Sequence, residues 1–204
     1  MEKTKYLIIG AGGHARVILS SIDYSKTNVL GIFDLDKSKT ILDSIPVIGN
    51  YQSGIFPEAK IIIAIGDNLK RNKVASIVKH NFGKIINHSS KVDKSTDIGE
   101  GSVILHQSIV QRGASIGNHC IINTNSSVDH DCRLGDFVHI APGSILCGNV
   151  SVGSNTLIGA GSTIIPNIKI GENVTVGAGS TVLSDIPDGM TVFGNPAKVY
   201  SKDA

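Results

Sequence analysis

The sequence has few aromatic residues and little net charge. It contains no tryptophan, and aromatic residues make up 4% of its 204 residues. Proteins that bind single-stranded nucleic acids stack the bases on aromatic rings, so this scarcity disfavours that class. The formal net charge of +2 is also too small to indicate a nucleic-acid partner.

The sequence also lacks the segments that direct a chain into or across a membrane. No apolar run approaches the roughly eighteen residues of a membrane-spanning helix. At the N-terminus, Lys3 and Lys5 precede an apolar run of only about five residues, which is too short for a signal peptide. We therefore expect a cytoplasmic protein. Three cysteines, an odd number, do not predict a disulfide framework.

What the sequence does contain is a strict six-residue repeat between residues 98 and 187. Every sixth residue, which we call the lead residue of its hexad, is aliphatic. The fifteen lead residues are Ile98, Ile104, Val110, Ile116, Ile122, Val128, Leu134, Ile140, Leu146, Val152, Ile158, Ile164, Ile170, Val176 and Val182. Helices and ordinary strands have periods of 3.6 and 2, so neither explains a period of six. A fixed repeat this short predicts a solenoid of the parallel β-helix type.

A second column, the fifth residue of each hexad, supports this prediction. Its members are small or β-branched, as a second inward position in a narrow core requires. Cys120 and Cys132 belong to this column, so we interpret both as small buried hydrophobic residues.

The hexads at 158–163 (Ile-Gly-Ala-Gly-Ser-Thr) and 170–175 (Ile-Gly-Glu-Asn-Val-Thr) resemble those of the hexapeptide-repeat acyltransferases. The resemblance implies a left-handed β-helix, a triangular prism with three hexads in each coil. Fifteen hexads would form five coils, and residues eighteen apart would stack along the prism.

The first 86 residues follow a different pattern, in which short apolar strands alternate with helices. Strands are predicted at 5–9, 29–33, 60–65 and 84–86, and helices end near residues 22 and 80. This alternation predicts a small parallel α/β sheet. We therefore predict a small Rossmann-like α/β domain at 1–86 and an all-β, left-handed parallel β-helix with a C-terminal tail at 87–204. Ile86 and Val92 already stand in the hexad register, which favours a boundary slightly earlier.

The loop after the first strand, Gly10-Ala-Gly-Gly-His-Ala15, matches the pattern G-x-G-x-x-A of dinucleotide-binding folds. Its glycines let the backbone approach phosphates, and the N-terminus of the following helix favours their negative charge. Asp34 stands where a carboxylate can bind a ribose hydroxyl. Because the domain is about half the size of a full dinucleotide fold, we predict a mononucleotide-scale site. A plain tight turn is the alternative interpretation.

That loop, the segments Ile32-Phe-Asp34 and Ala64-Ile-Gly-Asp-Asn68, and the hexads together resemble the bacterial sugar acyltransferases over essentially the whole chain. Residues 123–142 and 192–198 are the most similar segments. The resemblance implies an enzyme that transfers an acetyl group from acetyl-CoA to the amine of a nucleotide-linked amino-sugar. Such products enter glycan, exopolysaccharide or lipopolysaccharide synthesis. Sugar O-acetylation, as in the sialic acid O-acetyltransferases, is the alternative.

The resemblance also assigns the catalytic residues. It implies His130 as the general base, with Asp131 raising the basicity of its ring. An imidazole, whose pKa lies near neutrality, is suited to take the proton of the attacking group. Some relatives have Glu at the acid position, and Asp131 is one methylene shorter. The hydrogen bond to His130 is therefore either looser here or made by Asp129.

The other implied residues contact the two substrates. His139, Ala160 and Ala178 match positions along acetyl-CoA. The positions that match nucleotide-sugar contacts are Gly12, Gly13, His14, Asp34, Leu35 and Asn68. No metal is implied.

The hexads contain no long insertion that could close over acetyl-CoA, so a second subunit has to complete the site. The resemblance implies a homotrimer with sites between subunits, an arrangement of head-to-tail contacts that closes into a ring. Two other classes remain open. One is a zinc enzyme on the same fold, although the chain offers no close pair of histidines in the hexads. The other is a non-catalytic binder of nucleotide sugars.

Overall fold

The computed structural model describes residues 2–200 and contains an α/β domain followed by a triangular β-solenoid. The elements of the α/β domain are β1 (Thr4–Ile9), α1 (Gly13–Ser21), β2 (Thr27–Phe33), β3 (Ile41–Leu42), β4 (Ile45–Pro46), β5 (Lys60–Ile63) and α2 (Asn68–Ala75). The parallel sheet has the order β2-β1-β5, and β3 pairs with β4 in a hairpin. Leu7 and Ile8 of β1 are fully buried in separate clusters on the two faces of the sheet, which is why its strands read as continuous apolar runs.

Helix α2 and the strand predicted at 84–86 differ from the sequence prediction, which also did not include the β3–β4 hairpin. Helix α2 ends at Ala75, earlier than predicted, because the chain turns back so that Phe82 and Gly83 pair with Ile61 beside β5. The strand predicted at 84–86 does not join the α/β sheet. It pairs with a strand eighteen residues further on and is the first strand of the solenoid.

The solenoid consists of seventeen two-residue strands, three to a coil, and forms nearly six coils. The strands are β6 (Ile85–Ile86), β7 (Lys91–Val92), β8 (Asp97–Ile98), β9 (Val103–Ile104), β10 (Ile109–Val110), β11 (Ser115–Ile116), β12 (Ile121–Ile122), β13 (Ser127–Val128), β14 (Arg133–Leu134), β15 (His139–Ile140), β16 (Ile145–Leu146), β17 (Ser151–Val152), β18 (Leu157–Ile158), β19 (Thr163–Ile164), β20 (Lys169–Ile170), β21 (Thr175–Val176) and β22 (Thr181–Val182). Strands β23 (Thr191–Phe193) and β24 (Lys198–Val199) follow. The coil count exceeds the predicted five because the register begins at β6, before Ile98.

The core of the prism confirms the hexad interpretation. Each strand pairs in parallel with the strand eighteen residues away, as Val128 does with Val110 and Leu146. The lead residues from Ile98 onward point inward and form one buried cluster with the small residues of the second column. Inward hydroxyls are satisfied locally: Ser144 Oγ donates to a backbone carbonyl of the next coil at 2.8 Å.

The three faces of the prism differ in the residue that precedes each lead residue, because side chains alternate along a strand and this residue points outward. Face 1 is the sheet that contains β6, β9, β12, β15, β18 and β21. Face 2 contains β7, β10, β13, β16, β19 and β22, and face 3 contains β8, β11, β14, β17 and β20. Outward residues on face 3 are polar or charged throughout, which fits a solvated surface.

Face 1 carries the α/β domain. Its outward residues Ile85, Val103 and Ile121 are buried in one cluster with residues of α1 and β1. The position of the α/β domain on the prism is therefore determined by apolar residues spaced eighteen apart on one face. Among the helices of residues 2–200, none is long and apolar enough to span a membrane.

Candidate active site

The corner that follows β13 holds the charged residues expected to do the chemistry. Val128 and Cys132 on either side of it point into the prism and are fully buried, so the coil keeps its ordinary geometry there. Between them, the side chains of His130 and Asp131 are exposed, with relative accessibilities of 61% and 67%. The solenoid therefore presents this pair on its outer surface without disturbing its core.

His130 and Asp131 form a hydrogen-bonded pair. The distance from Nδ1 of His130 to Oδ2 of Asp131 is 2.9 Å, and since a carboxylate only accepts, Nδ1 carries the proton. Asp129 makes a different contact, because its Oδ1 accepts from the backbone N–H of His130 at 2.7 Å. Of the two carboxylates, Asp131 thus orients the ring, despite its short side chain.

The surroundings of His130 favour its protonated form. The hydrogen bond to Asp131 raises the pKa of His130, and the charge of Asp129 raises it further. Because Nδ1 is committed to Asp131, Nε2 is the nitrogen left to accept a proton. The ring lies against Gly148, one coil further on, where a Cβ would stand 2.5 Å from Nε2. The ring of His130 is therefore oriented by Asp131 and lies over the backbone of Gly148.

A second candidate region is a cavity of about 520 Å³ in the α/β domain. It lies beyond the carboxyl ends of β1, β2 and β5, where open parallel sheets bind their ligands. Five of the predicted nucleotide-sugar residues line it: Gly12, Gly13, His14, Asp34 and Leu35. Most of the remaining lining is apolar, with Tyr51 and Ile77 among it.

The glycine-rich loop gives this cavity an anion-binding edge. Gly10 has a φ of 102°, and a Cβ there would lie 3.0 Å from the carbonyl oxygen of Ala64, so only glycine fits. Gly12 caps α1 without a side-chain hydrogen bond, so no cap side chain competes with an anion for the first N–H groups of the helix. Asp34 braces the loop, since its Oδ2 accepts from the N–H of Ala11 at 2.6 Å.

His14 and His139 meet where the cavity approaches face 1, with ring centroids 6.4 Å apart. Burial, and then the charge of Arg71, lowers the pKa of each ring to about 4, so both are neutral at pH 7. His139 is held by the carbonyl oxygen of Gly66 at 3.3 Å and by Asn123 at 3.0 Å. Nε2 of His14 is buried and has no hydrogen-bond partner among residues 2–200.

The chain matches known families over both domains. A model described as the PglD N-terminal domain matches residues 5–78. The model of the bacterial transferase hexapeptide (six repeats) matches residues 113–148, 131–165 and 149–184. A comparison with curated protein sequences finds no match.

Solved structures match along almost the whole chain. The acetyltransferase domain of PglB from Neisseria gonorrhoeae is 35% identical, with a TM-score of 0.89 over 97% of this chain and 100% of that one. A mutant of perosamine N-acetyltransferase from Caulobacter crescentus, solved in complex with CoA and GDP-perosamine, is 34% identical. Its TM-score is 0.93 over 97% of each chain. WeeI from Acinetobacter baumannii is 26% identical, with a TM-score of 0.83 over 97% and 100%.

The chain belongs to the hexapeptide-repeat sugar acetyltransferases. Identity above 30% over nearly the full length of two relatives carries this assignment. It confirms the predicted family and fold class, in which the solenoid is a left-handed β-helix.

The remaining predicted contact residues of this acetyltransferase lie away from the cavity. Asn68 is buried, and its Nδ2 donates to the carbonyl oxygens of Asn155 and Thr156 at 3.0 Å each. Its amide is thus engaged in docking α2 on the solenoid. Ala160 and Ala178 are exposed and stack on one prism edge, where the N–H of Gly179 donates to the carbonyl oxygen of Ala160 at 2.8 Å.

Sequence reasoning missed Gly148, which lies under the ring of His130, and Arg71, which lies between the two domains. The sequence does mark the surroundings of both residues. The fourth position of each hexad has a left-handed φ at every corner from residue 101 to residue 179, a conformation that favours glycine and asparagine. Glycine or asparagine fills it at most corners, and the exceptions are Gln107, His119, Asp131 and Phe137. Asp131 binds His130, and the carbonyls of His119 and Phe137 bind Arg71.

Within one chain of this acetyltransferase, His130 and the cavity of the α/β domain are separate. Residues between 9 and 77 line the cavity, whereas His130 contacts Asp129, Asp131 and the surface of Gly148. Across residues 2–200, no three His, Cys, Asp or Glu side chains are grouped so that they could hold a metal ion.

Proposed function

We propose that the protein transfers the acetyl group of acetyl-CoA to the amine of a nucleotide-linked amino-sugar, with His130 as general base and Asp131 as its partner. The observation that carries the proposal is the hydrogen bond between Nδ1 of His130 and Asp131, which leaves Nε2 free on the outer wall. The relative from Caulobacter crescentus, a perosamine N-acetyltransferase with CoA and GDP-perosamine bound, supports the same reaction class.

The chemistry requires little more than a well-placed base. A thioester is already activated, so the amine nitrogen attacks its carbonyl carbon, the C–N bond forms and the C–S bond breaks. The nitrogen loses a proton to Nε2 of His130, and the imidazolium that forms returns a proton to the departing thiolate of CoA. Asp131 keeps the ring in the required tautomer and stabilises the imidazolium that forms.

Each substrate has its own candidate region. The cavity of the α/β domain takes the nucleotide, with its phosphates at the free N–H groups of Gly13 and His14. Gly12, Asp34 and Leu35 line the same cavity. We place Asn68 near the sugar, because it lines a smaller neighbouring pocket together with Gly66.

We assign acetyl-CoA to the prism edge marked by Ala160 and Ala178, where small side chains leave room for a thin ligand along the backbone. His139 is proposed for the same substrate. Its ring nitrogens are engaged by Gly66 and Asn123, so it has to act through a shift of these partners or through its ring surface.

The working unit that we propose is a homotrimer with sites between subunits. Because the base and the nucleotide cavity are separate in one chain, an adjacent subunit has to bring them together. Face 2 offers the contact surface, since Ile109 and Ile145 point outward from it with relative exposures of 39% and 45%. Exposed aliphatic residues in line on a flat sheet indicate a protein partner. We propose a cytoplasmic location, because the reaction needs both acetyl-CoA and a nucleotide sugar.

The proposed function is tested by following thiol release from acetyl-CoA with a panel of acceptors. The panel contains UDP-, GDP- and dTDP-linked 4-amino-4-deoxy sugars and, for the O-acetyl alternative, sialic acid. We expect steady thiol release with at least one amino-sugar and a product whose acetyl group resists mild base, as an amide does. A product whose acetyl group is released by mild base would be an ester and would show that the reaction is O-acetylation and not N-acetylation. Thiol release at background level with every acceptor would favour the alternative of a non-catalytic binder of nucleotide sugars.

A further inference from the structure

Arg71 of α2 is a buried cation at the junction of the two domains. Its relative exposure is 1%, and it is among the largest fully buried side chains. Nε and both terminal nitrogens donate hydrogen bonds of 2.8–3.2 Å to five acceptors. These are the backbone carbonyls of Ile65, Gly66, His119 and Phe137 and the side-chain Oδ1 of Asn68.

All of these acceptors are neutral, so the guanidinium has no counter-charge among its direct partners. Within residues 2–200, no carboxylate forms a salt bridge with it. Asp67 is close enough to be felt electrostatically, but it is exposed and caps α2 by accepting from the N–H of Lys70 at 2.8 Å. Burying an unpaired charge is unfavourable, and an apolar residue of similar volume would tie the domains together without this cost. The charge itself therefore needs an explanation.

The guanidinium lies directly behind one wall of the nucleotide cavity. Ile65 and Gly66 line that cavity on one side and present their carbonyls to Arg71 on the other. His14 of the glycine-rich loop lines the same cavity, and the charge of Arg71 is, after burial, the second cause of its lowered pKa. The N-terminus of α1 adds positive potential at the same place. Two sources of positive potential thus converge on one cavity.

We propose that Arg71 makes this cavity selective for a diphosphate, and that the diphosphate of the nucleotide sugar is the missing counter-charge. The inference rests on the proposed function, because it requires the cavity to be the nucleotide site. Arg71 does not touch the ligand. It is a positioning residue that holds the wall at 65–66 and acts on the phosphates through its charge.

Binding to nucleoside diphosphates and to the matching nucleosides separates this role from a simple link between domains. Isothermal titration calorimetry with UDP, GDP and dTDP first identifies the diphosphate that the wild-type protein binds most tightly. The ratio of the nucleoside Kd to the diphosphate Kd is then compared between wild type, Arg71→Lys and Arg71→Met. We expect the ratio to fall about tenfold in Arg71→Met and to stay within about threefold in Arg71→Lys, which keeps the charge.

Asn72→Ala is the matched control, because it removes the contact from Nδ2 of Asn72 to Oδ1 of Asn155 between the domains without changing a charge. We expect it to leave the ratio unchanged. If Arg71→Met weakens both ligands equally, Arg71 only links the domains and the inference is overturned. Should that variant not fold, Arg71→Gln, which keeps an amide donor, replaces it under the same criterion. A wild-type protein that binds none of the diphosphates would instead refute the proposed function.

Discussion

At the scale of single residues, the surroundings of each histidine ring determine its pKa. Burial lowers the pKa of His14, His119 and His139 to about 4, with the charge of Arg71 as the second cause in each case. The pKa of the exposed His130 is shifted the other way by its bond to Asp131. A general base has to lie within reach of the substrate, and among these four rings only His130 is exposed, with a pKa that is raised and not lowered.

Replacement of the base tests its role directly. His130→Ala should lower kcat by about 10²–10⁴, because general-base catalysis typically contributes that much. Binding of CoA, followed by thermal shift, should be nearly unchanged, because the ring lies on a different prism edge from Ala160 and Ala178. A decrease in kcat of less than about tenfold would remove His130 from this role.

The role of Asp131, the carboxylate that orients the ring, can be tested through the pH dependence of kcat/KM. The carboxylate stabilises the imidazolium and so raises the pKa of His130. Asp131→Asn removes that charge, so the pKa falls. Because only the neutral ring can act as base, the rise of kcat/KM with pH should move to lower pH.

Asp129→Asn is the control for that experiment. Asp129 is the second cause of the raised pKa and binds the backbone N–H, not the ring. We expect a smaller shift in the same direction. A larger shift in Asp129→Asn than in Asp131→Asn would reverse the roles of the two carboxylates.

In the solenoid, the stacking of successive coils determines which side chains fit at each hexad position. Residues eighteen apart lie on top of one another, so the third position of each hexad meets its equivalent in the next coil. Ala160 and Ala178 occupy this position on another edge, which demonstrates that its backbone accepts a Cβ. At Gly148 the same Cβ would collide with the ring of His130.

Gly148→Ala should therefore lower kcat while leaving the melting temperature nearly unchanged, because the ring moves and the coil does not. A double-mutant cycle with His130→Ala checks the cause. Once the ring is absent, the added methyl group should cost no further activity. An equal loss in both backgrounds would show that Gly148 acts on the reaction independently of His130.

At the scale of the whole molecule, the three faces of the prism differ in their outward apolar residues, and this difference determines which face each contact uses. Face 1 is apolar where the α/β domain covers it, and face 3 is polar. Face 2 is intermediate, with Ile109 and Ile145 exposed two coils apart. The proposed trimer uses this face as its contact surface, so both side chains should become buried on assembly.

If the proposed trimer forms through face 2, Ile145→Glu should dissociate it, because the substitution places a charge at the centre of the proposed contact surface. Light scattering coupled to size exclusion should then report a monomer, and turnover should fall with the loss of shared sites. Ser151→Glu, at the outward position of face 3, is the matched control and should remain trimeric and active. A wild-type protein that is monomeric at assay concentration would contradict the shared site.

The repeat, its inward columns and the exposed corner at 129–131 could be predicted from the sequence, because the geometry of a solenoid is determined locally. Each hexad has the same conformation, so a side chain's direction follows from its position in the hexad. The glycine-rich loop was equally predictable, since Gly10 is required by a contact between adjacent strands of one small sheet. The extent of α2 was not predictable, because residues near β5 end it.

Only the tertiary structure decided which carboxylate orients His130, which face the α/β domain covers and that a cation is buried between the domains. The first depends on side-chain rotamers at one corner, where Asp129 and Asp131 stand equally close in sequence. The other two depend on contacts between distant parts of the chain, such as the bonds from Arg71 to the carbonyls of His119 and Phe137. A hydrogen bond of this kind leaves no periodic pattern in the sequence, because its acceptor is a backbone atom that every residue possesses.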